Sequence, residues 1–374
     1  MAQQTILSAD NQYEAFDRWL SDYGIRTLLL VCDASMEFLN IRTYFAALPE
    51  RLGVKVIRFD RFQPNPLYES VVDGVNTFRR EGCEGIAAVG GGSAIDVAKC
   101  IKLFCRMDDS RSYLEQTIVP NDVPLLAMPT TAGTGSEATR YAVIYYNGVK
   151  QSVTHESCIP SAVLMDSAAL VTLPLYQKKS TMLDALCHAV ESFWSVGSTD
   201  QSKVYSRDAI RLILVHYRDY LAGDPSACEA MLRAANLAGK AINITQTTAG
   251  HAMCYKLTSL YGIAHGHAAA LCDRALFPWM LQHTDRCVDK RGQAYLARTF
   301  AEIAEAMDCA TPEEAAAKFA ALVDGLELTV PAASPSDFEV LRTSVNPTRL
   351  HNHPIGLDEA SIDGLYHQIL GHAE

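Results

Sequence analysis

Between Thr27 and Met165, five short apolar runs alternate with helical stretches, and that alternation limits the possible folds more than any other feature of the chain. The runs are 27–32 (TLLLVC), 54–59 (VKVIRF), 85–89 (GIAAV), 124–128 (PLLAM) and 161–165 (SAVLM), with helical patterns such as 70–80 and 95–104 between them. Strands this apolar, separated by helices, predict a parallel sheet covered on both faces. After Pro174 the texture changes. The segments 177–196, 200–221, 226–243, 291–307 and 311–326 read as helices, with turns at Gly223-Asp224-Pro225 and Pro331-Ala332-Ala333-Ser334-Pro335. The expected architecture is an α/β domain over 1–173 followed by an all-helical domain over 174–374, with the cleft between them as the default site.

Composition removes several classes of function. Hydrophobic residues make up 49% and charged residues 20%, which is the balance of a folded chain. The net charge of −11 with no basic block argues against nucleic acid as a partner. No apolar run approaches the ~18 residues of a membrane span. Met1-Ala2-Gln3-Gln4-Thr5 has neither the cationic nor the apolar region of a signal peptide, and the 11 cysteines include no CxxC. Free thiols in a reducing cytoplasm are therefore expected.

Two loops follow predicted strands. Gly90-Gly91-Gly92-Ser93 opens the helix that carries Asp96 and Lys99, and Pro129-Thr130-Thr131-Ala132-Gly133-Thr134-Gly135-Ser136-Glu137 follows PLLAM. Backbone N–H groups freed of side chains, at a helix start, favour phosphate. The first loop is neither GxGxxG nor a Walker A sequence, so alone it also reads as a plain tight turn, and the second as a helix start capped by Thr134 or Ser136. Together, at the carboxyl ends of two strands of one sheet, they favour a dinucleotide. Asp33, just after the first strand, either accepts from an adenosine ribose, which favours NADH over NADPH, or caps a helix.

In the second half, Asp184 and His188 are spaced i, i+4 on an apolar helix, so one face carries both. His251 and His265-Gly266-His267 follow in a stretch of mostly apolar or small residues. A carboxylate with two or three imidazoles suits Fe²⁺ or Zn²⁺. A lone histidine is ordinarily a hydrogen-bonded core or surface residue, and spacing does not prove convergence. His351 and His353, in polar context, read as surface residues.

Taken together, Gly90-Gly91-Gly92-Ser93-Ala94-Ile95-Asp96, the 130–137 loop, Asp184-Ala185-Leu186-Cys187-His188 and His265-Gly266-His267-Ala268 resemble the iron-containing (group III) alcohol dehydrogenase family over nearly the whole chain. The resemblance implies metal ligands Asp184, His188, His251 and His265. It implies cofactor contacts at Asp33, Asn65, Gly91, Gly92, Ser93, Asp96, Thr130, Thr131, Thr134 and Lys150. Many members carry a second histidine four residues after the third ligand; here that residue is Tyr255, which passes the proton-donor role to His267 or ordered water.

Segments 136–145, 242–245, 257–262 and 345–350 further resemble the family's phosphonoacetaldehyde reductase branch, which makes 2-hydroxyethylphosphonate. The implied reaction is metal-dependent, NAD(P)H-linked reduction of an aldehyde to a primary alcohol in a cytoplasmic enzyme, with a homodimer as the expected association. A phosphonate needs fixed positive charge, and Arg140 and Arg349 are the candidates; Arg140 reads equally as an ordinary surface or helix-pairing cation. The alternatives are a reductase of short aliphatic aldehydes, a lyase resembling dehydroquinate synthase, and a binding protein with a remnant site.

Overall fold

The computed structural model describes residues 4–10 and 12–372, so Met1–Gln3, on which part of the leader reading rests, lie outside the described residues. The chain forms two compact units. One runs to Leu173 and also takes in Ala222–Asn236; the other comprises Pro174–Leu221 and the chain from Leu237 onward. The 222–236 segment thus departs from the boundary read at 173/174. The helix Pro225–Thr245 begins in the first unit and ends in the second.

The first unit is built on six parallel strands: β1 (Thr5–Ser8), β2 (Thr27–Cys32), β3 (Lys55–Phe59), β4 (Gly85–Gly90), β5 (Leu125–Pro129) and β8 (Ala162–Met165), in the spatial order β1-β8-β5-β4-β2-β3. Alternate residues feed opposite faces, as period two requires. Leu29, Val31, Ile86, Ala88, Leu125 and Ala127 pack with Val97, Ile101 and Phe104 of the Gly92–Phe104 helix. Leu28, Leu30, Ala87, Val89, Leu126 and Met128 pack with Phe16, Trp19, Tyr44 and Phe45 on the other face. Burial on both faces explains why the strands read as unbroken apolar runs.

Among the described residues, three strands of four or more residues escaped the sequence reading, as did the paired two-residue strands Ala332–Ala333 and Gly371–His372. β1 has four residues, TILS, too few for a pattern, and joins the sheet by pairing with β8. β6 (Tyr141–Tyr146) and β7 (Val149–Thr154) form an antiparallel hairpin outside the main sheet. Its turn, Asn147-Gly148, has positive φ at both residues (51° and 74°), the geometry that suits a two-residue hairpin.

The second unit is mainly helical. Leu175–Trp194, Ala249–Tyr261 and His265–Gln282 carry its candidate ligands. The His265–Gln282 helix packs directly on the other two. Gly266 makes one of these contacts possible: a Cβ there would fall 2.0 Å from the Ser180 carbonyl oxygen and 2.5 Å from Asp184 Cβ.

Candidate functional site

In the first unit the two predicted loops lie side by side because β4 and β5 are neighbours, with Gly90 opposite Pro129. Thr130 N–H donates to the Gly90 carbonyl at 3.1 Å. A Cβ on Gly91 would touch Thr131 at 3.5 Å, and one on Gly92 would press on Thr134 at 3.0 Å. Gly90 has φ +154° and faces Asp33 Oδ2, 2.7 Å from where its Cβ would stand. Asp33 caps the short turn at Ala34–Phe38, accepting from Ser35 N–H at 2.9 Å, and its other oxygen lies 3.4 Å from Gly91 N. The capping geometry is therefore present, and it holds the carboxylate against the glycine loop.

Asp96 and Lys99 brace these loops from behind. Asp96 accepts from Ser136 Oγ (2.5 Å) and Val143 N–H (2.9 Å). Burial raises its carboxyl pKa, against the pull of Lys99. Lys99 is fully buried and donates to Ser136 Oγ, Thr139 O and Oγ1, and Tyr141 O, at 2.7–3.2 Å. Among the remaining predicted contacts, Thr130 is buried, Ser93 and Lys150 are half-buried, and Asn65 is exposed in a left-handed turn (φ 58°). A separate depression of about 840 Å³, lined by residues including Asp10, Tyr13, Phe38, Arg42 and Asp166, contains none of the predicted cofactor contacts.

The second unit gathers the four predicted ligands from three helices. Ligand atoms of Asp184, His188 and His251, all buried, lie within 4.8 Å of one another. Asp184 Oδ1 is 3.9 Å from His188 Nε2, 3.4 Å from His251 Nε2 and 3.9 Å from His265 Nε2. Three imidazoles therefore turn the same nitrogen toward one carboxylate oxygen. His265 is the outermost, its side chain 37% exposed.

The electrostatics fit a cation. Burial alone would raise the pKa of Asp184, yet His188, His251 and His265 hold it below the carboxylate range. His251 is pushed up, since Glu191 and Asp184 outweigh its burial. Such a donor set is costly to bury without positive charge, which a divalent ion would supply.

Glu191, which the sequence reading did not single out, organises the cluster. It is fully buried and accepts from His251 Nδ1 and backbone N–H, and from Thr248 N–H and Oγ1. The bond from Nδ1 leaves the His251 Nε2 lone pair free for metal. Its signal was present: Asp184, His188 and Glu191 sit at i, i+4 and i+7, one helical face. Cys254 Sγ lies 3.5 Å from His265 Nδ1, and the Tyr255 ring stacks on His265 at 5.4 Å.

The remaining candidates separate. His267 is buried, but it projects about 200° away from His265 around the helix. Its Nδ1 pairs with Tyr176 Oη at 3.2 Å, and burial lowers its pKa. Arg140 forms an ion pair with Glu156 at 3.0 Å and lies over Tyr141. Half-buried Arg349 lies over the Tyr255 ring at 4.7 Å and donates to Tyr255 Oη at 3.1 Å, with no carboxylate partner among the described residues. The surface reading of His353 fails: it is 1% exposed, and burial pushes its pKa down to about 4. Its neighbours in sequence are polar, but the chain turns it inward.

Residues 3–167 match the model described as iron-containing alcohol dehydrogenase, and 178–334 match the C-terminal model of the Fe-containing alcohol dehydrogenase family. The chain is 32% identical to phosphonoacetaldehyde reductase of Streptomyces viridochromogenes, over 74% of each chain. It is 31% identical to NAD-dependent methanol dehydrogenase of Bacillus methanolicus over 66% of each. In the first three curated relatives the match spans 66%, 64% and 58% of their length. The solved structure of sulfoacetaldehyde reductase from Bifidobacterium kashiwanohense, in complex with NAD+, superposes with a TM-score of 0.83 at 25% identity, covering 99% of this chain and 97% of that one.

Proposed function

The chain belongs to the iron-containing alcohol dehydrogenase family, and from that premise we propose that it reduces an aldehyde to a primary alcohol with NADH, the preferred substrate being phosphonoacetaldehyde. The convergence of three imidazole nitrogens on Asp184 Oδ1 carries the reading. A divalent ion held by Asp184, His188, His251 and His265, Fe²⁺ or Zn²⁺, would supply Lewis-acid stabilisation of charge on the carbonyl oxygen, and nicotinamide would supply hydride.

The chain's own residues do the rest. Glu191 fixes the tautomer of His251. The backbone of Gly91 and Gly92, with Ser93 and the hydroxyls of Thr130, Thr131 and Thr134, cradles the pyrophosphate, with Asn65 and Lys150 as further contacts. Asp33 beside Gly90 accepts from the ribose and repels a 2′-phosphate, which supports NADH. Asp96, bonded to Ser136 and Val143, holds the two loops in register beside the cofactor. The face His267 takes disfavours it as proton donor. Water arriving past half-exposed His265 supplies the proton to the product oxygen.

Of the two candidate arginines, Arg349 is the better grip for an anionic head. Arg140 already faces Glu156, whereas Arg349 spends one of its five N–H donors on Tyr255. The phosphono- and sulfoacetaldehyde reductases among the relatives are named for two-carbon aldehydes with such a head. The methanol dehydrogenase represents the rival, a short uncharged substrate.

The test is NADH oxidation by Fe²⁺- and Zn²⁺-loaded protein with phosphonoacetaldehyde, acetaldehyde, butyraldehyde and lactaldehyde. Phosphonoacetaldehyde is expected to give the highest kcat/KM, and Arg349→Met to lower it about tenfold or more while sparing butyraldehyde. A preference for butyraldehyde, or equal losses on both, would return the assignment to the uncharged class.

A further inference from the structure

Behind His251 lies a second acid that the reaction does not use. Asp273, on the His265–Gln282 helix, is fully buried, and neither of its carboxyl oxygens has a hydrogen-bond partner among the described residues. Its neighbour is Glu191. The point where a Gly250 Cβ would stand is 1.9 Å from Asp273 Oδ1 and 2.8 Å from Glu191 Oε1, so both carboxyl groups crowd one side-chain-free residue.

Two buried acids in contact cannot both stay ionised, and the hydrogen bonds decide which one keeps its charge. Glu191 receives four: the Thr248 N–H and hydroxyl, and the His251 N–H and Nδ1. Asp273 has no N–H or hydroxyl donor among the described residues, and the groups set against it are the Cys187 thiol and Glu191 itself. Burial and the charge of Glu191 both push the Asp273 carboxyl well above its ordinary range. Two carboxylates have no proton to share, whereas an acid and a carboxylate form a strong O–H···O bond.

We propose that Asp273 is a neutral carboxylic acid that donates a hydrogen bond to Glu191, and that this acid pair, seated against Gly250, holds Glu191 in position on His251 and so secures the metal cluster. Asp273 touches no ligand atom and is a positioning residue. Its protonation follows from the acid pair alone; its effect on the metal rests on the cluster reading above.

Infrared difference spectra of metal-free wild type and Asp273→Asn at neutral pH test the first part. The carbonyl stretch of a protonated carboxyl group is expected in wild type and absent from the variant. No such band in wild type would overturn the proposal. Because this measurement needs no metal, its failure is distinct from failure of the metal assignment.

Metal retention tests the second part. Asp273→Asn keeps a neutral donor and should hold metal as wild type does, whereas Asp273→Val, which has no donor, should release it about tenfold more readily. Equal retention in wild type and Asp273→Val would remove the positioning role. Equal weakening in Asn and Val would show that the group acts as an anion, and would also overturn the proposal.

Discussion

At the ends of β4 and β5 the groups that would meet a ligand are peptide N–H groups, threonine hydroxyls and the gaps left by Gly91 and Gly92, and their supports are the turn capped by Asp33 and the braced pair of Asp96 and Lys99. In the second unit the corresponding groups are a carboxylate and three imidazoles, each drawn from a helix and backed by further acids and thiols. The first site is made by leaving side chains out, the second by packing ionisable ones in. A cradle of peptide dipoles suits a large, already charged ligand and tolerates changes in its own side chains. A cage of imidazoles depends on every member, since each removed group leaves the others buried and unpaired.

This contrast breaks most easily at Asp184. Asp184→Ala should lose its metal by elemental analysis and fall on the order of 10³-fold in turnover, the several kcal/mol that Lewis-acid stabilisation provides. NADH binding, measured by fluorescence, should survive. Full metal content in this variant would mean the cage does not work as a unit.

Gly90→Ala probes the other side. At φ +154°, with a Cβ only 2.7 Å from Ala94 Cβ and from Asp33 Oδ2, the substitution should cost about 3 kcal/mol of stability and weaken NADH binding, with metal content unchanged. Chemical denaturation and a binding titration read both effects. Loss of metal instead would tie the two sites together.

The smallest effect concerns acid. His353, with its pKa pushed down to about 4, stays neutral in the fold while the unfolded chain takes up a proton near its ordinary value of about 6.5. Stability from this residue is full above that value and is lost as pH falls toward 4, about 2 kcal/mol by pH 5. His353→Leu in metal-free protein should flatten the slope of stability between pH 7 and 5, and an unchanged slope would show that the imidazole is not held neutral.

The strands of the main sheet were legible because burial on both faces leaves an unbroken apolar run: 27–32 matches β2 end for end, and 85–89 falls one residue short of β4. β1 was not, since four residues carry no period and its place comes from pairing with β8 across most of the unit. The β6–β7 hairpin had a signal in Asn147-Gly148, but the sequence reading placed no strand there. The four candidate ligands were readable from residue type and order, and their approach to one oxygen was not. Glu191 shares a helical face with Asp184 and His188, a signal the sequence did hold, whereas Asp273 escaped and His353 read as surface because each is a polar side chain buried by neighbours in space, not in sequence. The 222–236 segment repeats the point for the first part of a helix, with an ordinary helical pattern and an allegiance settled by packing.

Gly266 shows what an omitted atom can regulate. Because nothing but hydrogen separates its Cα from the Ser180 carbonyl and Asp184, the spacing between the backbone that bears His265 and the backbone that bears Asp184 is set at its shortest value. A single methyl group would act as a shim, prising one jaw of the clamp from the other. The span of any ion held between these two backbones would thus depend on a residue that carries no ligand atom.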